Sequence, residues 1–472
     1  MEEKNAAAGD APEAKASRKA IAGYSAFVFV LYMGFRMYAL TKHIVGRASL
    51  VNIFMFSSWV LHRGAAYHGL DYSMGFLPHA LSGQILTFFA GETITDRAAA
   101  LYLLLAFVLT YGLFSVIVGI LLEKAVRTEN YLMALFPFLF ILAPLTVWAR
   151  TFFFMNYDTF MLLIALPAFL ILLWRKNEWL LWLIPVLSCL GIMTNHAFVL
   201  LFFPLLFALQ YYEYIKSGLK KSRLLQMIVT TVSSALLAAY MVLAPAYSGL
   251  LQKYGLYKYS HAQAIAMLEA KIGRTLDVHE ILYTSFSVFG MRPAAEVYDL
   301  DAYYSTYAGE FSPWNPQTEE FISTFLPQYF FLHLYAFLIL APIVVFAFAV
   351  WRKMAKGETG FLSKSPYYLF MLAPFIIVPA FVVFVDMDRL VWSALLTQLL
   401  FVIYVYFKNE RDVAFERLKQ ITKNDKTAIL CAALFGLAIF LPVLLFKGAD
   451  WLNPLTLETI AELLDKVGII LP

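Results

Sequence analysis

The chain returns again and again to apolar runs of bilayer-spanning length, and no other feature limits its fold so tightly. These runs fall at 20–41, 99–122, 131–148, 158–174, 178–195, 197–215, 225–246, 322–351, 367–385, 390–407 and 427–446. Crossing a ~30 Å hydrocarbon core takes about 20 apolar residues, and each run is near that length. The composition agrees. The 472 residues are 61% hydrophobic and 14% charged, whereas a soluble domain carries about 25% charged residues. The mean hydropathy is +0.70. A water-soluble core cannot hide that much apolar surface, so lipid is the expected solvent. The expected fold class is all-α: a polytopic transmembrane bundle of about 11 helices, with helical, membrane-hugging outer loops.

Domain organisation follows from the polar intervals. Residues 1–19 are polar and Ala-rich and read as a disordered cytoplasmic tail. Residues 20–446 form the transmembrane domain, including long outer loops at 42–98 and 248–320, and 447–472 form an extracytoplasmic C-terminal segment. The first run is followed by no small-residue cleavage site, so it reads as an uncleaved signal-anchor. Segment 50–61 is apolar but short, which suits a re-entrant or interface-lying helix. Cys189 and Cys431 both sit in apolar runs, against a disulfide framework or a zinc site.

Charge sets the orientation. With a cytoplasmic N-terminus and strict alternation, about 22 of the 36 basic residues fall in the short cytoplasmic segments. They include Lys124, Arg127, Arg175, Lys216, Arg223, Lys353 and Lys408. About 13 fall in the much longer outer segments. The net charge of +4 thus comes from basic loops and not from a nucleic-acid patch, and nucleic acid is not an expected partner. A multi-pass protein of the plasma membrane is expected.

Chemically capable residues gather on the outer side. The first outer loop carries His68, Asp71 and His79 among aromatic residues. Asp71 reads either as a general base with a pKa raised by partial burial, or as a cap on a short helix. Arg150 and Asp158 flank the next outer turn, either as a mutual ion pair or as part of a site. His196 lies in a very short turn that keeps it near the membrane surface. Asp386, Asp388 and Arg389 form a late turn between apolar helices. Arginine's fork suits a phosphate, and the paired carboxylates suit sugar hydroxyls or a divalent cation such as Mg or Mn. A simple Asp388–Arg389 cap remains the alternative. Asp299 and Asp301 stand in a tyrosine-rich stretch of the second long loop, as a packed surface or a sugar-facing one. His333 reads as a buried hydrogen-bonding residue.

These residues carry a resemblance. Many helices, an aspartate in the first outer loop and no large cytoplasmic domain make the chain similar to the GT-C glycosyltransferases. More narrowly, it resembles a group of bacterial multi-pass membrane proteins with a DYSxGF-type stretch (Asp71 to Phe76), an aspartate opening the fourth helix (Asp158) and a late Asp–Arg turn (Asp388-Arg389). It departs from that group at His79, where an arginine is usual, and at Asn195-His196, where a His-Glu pair is usual. The resemblance implies glycosyl transfer from a polyprenyl-phosphate-linked sugar to a glycan, lipid or protein acceptor outside the cytoplasm. Asp71 and His196 would then be catalytic. His68, His79, Arg150, Asp158, Asp386, Asp388 and Arg389 would bind substrate, with Arg389 steadying the leaving phosphate.

Two other readings use the same sequence. A polymerase or ligase of cell-envelope polysaccharide repeat units needs the same lipid phosphate on the same face. A transporter or flippase for a lipid-linked solute predicts polar residues at mid-membrane, and the runs hold few, such as Ser233 and Ser234.

Overall fold

The computed structural model describes residues 17–31, 33, 64–77, 79–130, 133–134, 157–174, 177–243, 248–256, 258–259, 261–276, 280, 344–345, 347–377, 387–408, 413–424, 426, 430 and 433. Among them every regular element is helical. We label these α1 (17–31), α2 (Ala80–Ala90), α3 (Asp96–Arg127), α4 (Asp158–Trp174), α5 (Leu183–Thr194), α6 (Phe203–Lys216), α7 (Lys221–Leu243), α8 (His261–Ile272), α9 (347–356), α10 (Phe361–Leu372), α11 (Met387–Lys408) and α12 (Val413–Asn424).

Helix α3 starts where Thr95 accepts a hydrogen bond from Ala98 N, 3.2 Å away. Asp96 in its first turn and Lys124 and Arg127 in its last complement the helix dipole. Its 32 residues span about 48 Å, more than a bilayer core. Leu101, Leu105 and Leu109 form an exposed ridge at four-residue spacing, while Leu103, Phe107, Tyr111 and Phe114 face the bundle. Helices α3 and α7 are both long and apolar enough to cross a membrane.

Helix α7 is amphipathic in the sense opposite to a soluble helix. Arg223, Gln226, Thr230 and Ser234 form its buried stripe. Leu225, Ile228, Val232 and Leu236 form its exposed stripe. Arg223 pairs with Glu213, and two further polar pairs cross the interface. Gln210 Nε2 donates to Thr230 Oγ1 at 3.1 Å, and the Ser188 and Ser234 hydroxyls meet at 2.8 Å. In water this arrangement would expose the wrong surface; hydrocarbon outside the bundle makes both stripes favourable.

Several helices differ from the sequence expectation where prolines intervene. The run expected at 178–195 opens as a 3-10 helix, Glu178–Trp182, before α5. Pro185 has no N–H to bond the Leu181 carbonyl, so the entering turn tightens. The run at 197–215 breaks at Phe202 into one turn, Phe198–Leu201, and α6, because Pro204 removes the bridging bond. The run at 367–385 begins earlier, at Phe361, and tightens to a 3-10 helix over Ala373–Ile377, where Pro374 stands. Inside α10, Pro366 leaves the Leu362 carbonyl without its helical donor; Ser365 Oγ donates to it at 2.8 Å. The expected spans at 131–148, 322–351 and 427–446, the segment 50–61 and the terminal segment 447–472 lie largely or wholly outside the described residues.

The described loops sort into two ends. At one end Ser17 donates to Glu123 at 2.9 Å, and Lys124 Nζ donates to the Tyr406 carbonyl at 2.7 Å. Lys216 pairs with Glu358 at 3.1 Å, and Arg417 donates to the Met354 and Gly357 carbonyls. The centre of this end is Glu213, buried between Arg223 (2.6 Å), Lys408 and the Tyr404 hydroxyl. Arg223 also reaches Glu178 at 2.5 Å. These are the segments that the charge count groups as cytoplasmic. At the opposite end, residues 64–95 meet Tyr157, Thr194, Tyr240 and residues 256–272. These are the segments grouped as outer.

Candidate functional site

Asp71 precedes a short 3-10 helix, Tyr72–Met74, and caps it. Its Oδ1 accepts from Ser73 N at 3.0 Å and from the Ser73 hydroxyl. Its Oδ2 accepts from Thr87 Oγ1 at 3.1 Å and from Lys271 Nζ. Lys271 ends α8, and its ammonium also donates to Thr87 Oγ1 at 2.7 Å and to the Gly69 carbonyl at 3.4 Å. Asp71 is 3% exposed. A carboxylate offers about four lone-pair positions, and here all are engaged.

This corrects the expected pKa of Asp71. Burial does push the carboxyl up, but Lys271 and Ser73 outweigh it and hold the value below the ordinary 3.8. Asp71 is therefore ionised at neutral pH and paired. The capping role weighed against catalysis in the sequence is present, together with an ion pair that the sequence did not indicate.

Two histidines, His68 and His79, flank Tyr157, immediately before α4, and His196 stands beside His79. His68 Nδ1 lies 2.7 Å from Ser82 Oγ, and its ring stands 4.7 Å from the Tyr157 ring. The His79 ring lies 4.6 Å from Tyr157 and 5.6 Å from His196. His79 Nδ1 is 3.2 Å from the Thr194 carbonyl. A carbonyl only accepts, so this nitrogen carries the proton. His79 holds a left-handed backbone conformation, φ 65°. Histidine tolerates that region better than most residues but at a cost of about 1 kcal/mol. Asn195 Oδ1 accepts from Ala197 N at 2.8 Å and shapes the turn that presents His196. The Tyr157 hydroxyl donates to the Tyr67 carbonyl, tying the first loop to the head of α4, where Asp158 is buried.

Helix α2 joins the two groups. Ser82 holds His68 and Thr87 holds Asp71, about 7.5 Å apart along the axis. Gly83 lets the first loop lie directly on α2: a Cβ there would stand 1.7 Å from the Leu70 carbonyl oxygen. The opposite edge of α2 exposes Ile85, Phe88 and Phe89, the last two by 81% and 70%.

The structure thus sets His68 and His79 against Tyr157, next to the buried Asp158, with His196 beside His79, and α2 holds both His68, through Ser82, and Asp71, through Thr87. Arg150 and Asp386 lie outside the described residues, as do the side chains of Asp388 and Arg389 at the start of α11. Sequence reasoning missed Lys271, Thr87, Ser82 and Tyr157. Tyr157 adjoins a flagged aspartate and was within reach. Lys271 stands 200 residues from Asp71, and nothing local marks it. Among the described residues, no group of three or more His, Cys, Asp or Glu side chains is arranged to hold a metal ion. No protein-family model, curated protein or solved structure matches this chain.

Proposed function

We propose that this chain is a multi-pass membrane glycosyltransferase that uses a polyprenyl-phosphate-linked sugar at the outer end of its bundle. One observation carries the reading. A buried aspartate and two histidines of the first outer loop, with His196 from a second loop, collect at the end opposite the basic loops, beside a helix whose other edge is exposed phenylalanine. Such a layout suits a lipid-borne headgroup held at a membrane–water boundary.

In the proposed reaction the acceptor hydroxyl oxygen attacks the anomeric carbon as the bond to the phosphate oxygen breaks. The hydroxyl proton passes to Asp71, and the polyprenyl phosphate leaves with the bonding electrons. His196, beside His79, orients the acceptor. Arg389, with Arg150, neutralises the leaving phosphate. Asp158, His68 and His79 bind substrate, and Asp386 and Asp388 bind sugar hydroxyls or a divalent cation. The N-terminus and the basic end face the cytoplasm; about 11 spans place the C-terminal segment outside. Polar side chains inside the described bundle pair with each other, Gln210 with Thr230 and Ser188 with Ser234, which favours an enzyme over a transporter.

The test is turnover in lipid nanodiscs with a panel of polyprenyl-phosphate sugars, reading polyprenyl phosphate released. Asp71→Asn is expected to lower the rate about 100-fold or more. An Asp71→Asn protein as fast as the parent removes Asp71 from the mechanism. No turnover of any such donor removes the reaction class.

A further inference from the structure

The Asp71 carboxylate is occupied. A general base needs an open lone pair toward the proton it takes, and this one has none. Its contacts are unequal, however. Ser73 and Thr87 belong to the first loop and to α2, which pack together as one unit. Lys271 alone arrives from another part of the chain, at the end of α8. It is the one contact that can leave without unmaking the loop that carries Asp71.

The way α8 is held supports this. Ala264, Leu268 and Ile272 make one stripe at four-residue spacing, and Leu268 lies against Gly69, where a Cβ would come within 2.4 Å of it. Three backbone bonds complete the attachment: Ile94 N to the Lys271 carbonyl at 2.8 Å, Phe76 N to Leu256 at 2.8 Å, and Lys258 N to Met74 at 3.1 Å. This is a packed seam between two outer segments, whose α8 stripe belongs to the same buried cluster as Tyr67, Leu70 and Met74. The Asp71–Lys271 ion pair sits inside it.

We infer that the Asp71–Lys271 pair is a latch, in which α8 keeps Asp71 closed until the phosphate of the donor takes over Lys271 and frees the carboxylate. The inference rests on the reading of the chain as an enzyme of lipid-phosphate-linked donors. A phosphate offers the ammonium more charge and more acceptor oxygens than one carboxylate. The exchange also activates the base. Without its cation, and with a new anion beside it, Asp71 binds a proton more readily. Asp71 would thus become basic only when donor is present, which protects the site from idle chemistry.

The experiment is hydrogen exchange and binding on the full chain in nanodiscs, with a polyprenyl phosphate, the uncharged polyprenol and inorganic phosphate as probes. Polyprenyl phosphate is expected to speed amide exchange across residues 264–272, and polyprenol to leave it unchanged. Lys271→Met is expected to show fast exchange there without a probe and to bind polyprenyl phosphate tenfold or more weakly, on the order of one lost charged hydrogen bond. Lys271→Arg retains the pair and the response, which separates the latch from a folding defect. Opening by inorganic phosphate alone supports the latch and assigns it to the phosphate group; opening only by the lipid supports it and ties it to the bilayer. If polyprenyl phosphate binds the parent and Lys271→Met alike and leaves 264–272 protected, the latch is wrong and the glycosyl-transfer reading stands. If it binds neither protein, both fall.

Discussion

Glu213 gives the sharpest test of how the bundle is held at its basic end. Its Oε2 accepts from Arg223, and its Oε1 meets Lys408 and the Tyr404 hydroxyl. Glu213 and Arg223 side chains are each only 7% exposed. Glu213→Gln keeps the shape and removes the charge, leaving two cations near one another with Glu178 as the remaining anion on Arg223. Removing one partner of a buried pair costs about 3–5 kcal/mol. At about 2 °C per kcal/mol for a large chain, the thermal midpoint in detergent falls by about 6–10 °C. Adding Lys408→Met removes one of the stranded charges, so the double variant is less destabilised than the sum of the two singles. A midpoint change below about 1 °C for Glu213→Gln, or strict additivity with Lys408→Met, refutes the network as a structural anchor.

Three further outcomes follow from particular contacts. Asp71 has a folded-state pKa below its ordinary 3.8, so its pairing contributes stability that is complete above that value and fades as pH falls through the lower one. The midpoint difference between the parent and Asp71→Asn is therefore flat from about pH 5 to 8 and shrinks only in strong acid; a loss between about pH 5 and 7 means the pKa is raised instead. Gly83→Ala forces a Cβ against the Leu70 carbonyl oxygen, costing about 1–3 kcal/mol and raising hydrogen exchange in α2, and a neutral midpoint contradicts the close approach. Leu236→Arg puts a charge on the exposed stripe of α7, which costs about 2.5–3.5 kcal/mol of insertion free energy in lipid; unchanged insertion in a translocon assay contradicts a lipid-facing stripe.

The described helices were legible because a long apolar segment announces itself locally, and two of them, α3 and α7, are long and apolar enough to cross a membrane. Their interruptions were legible only in hindsight. Pro185, Pro204 and Pro374 each remove one main-chain donor, and an average over twenty residues hides that. The inverted amphipathicity of α7 lies in the sequence as Arg223, Gln226, Thr230 and Ser234 at helical spacing, but its direction needs a known exterior. In the candidate site, His68, Asp71, His79, Asp158 and His196 stood out by residue type. Their environment did not. The sequence reading weighed burial at Asp71 and expected a raised pKa, since Lys271 comes from a distant helix and its charge reverses the balance. Pairings across 200 residues depend on how the loops pack, and no local pattern encodes them.

The central claim is that the His–Asp cluster and the basic network sit on opposite sides of a membrane. Single cysteines at Glu92, beside α2, and at Lys220, beside Arg223, test it directly in a background with Cys189 and Cys431 replaced by serine. Both positions are exposed. With a membrane-impermeant thiol reagent on intact expressing cells, the Glu92 position is expected to label and the Lys220 position to label only after lysis. Labelling of both from the same side contradicts the account.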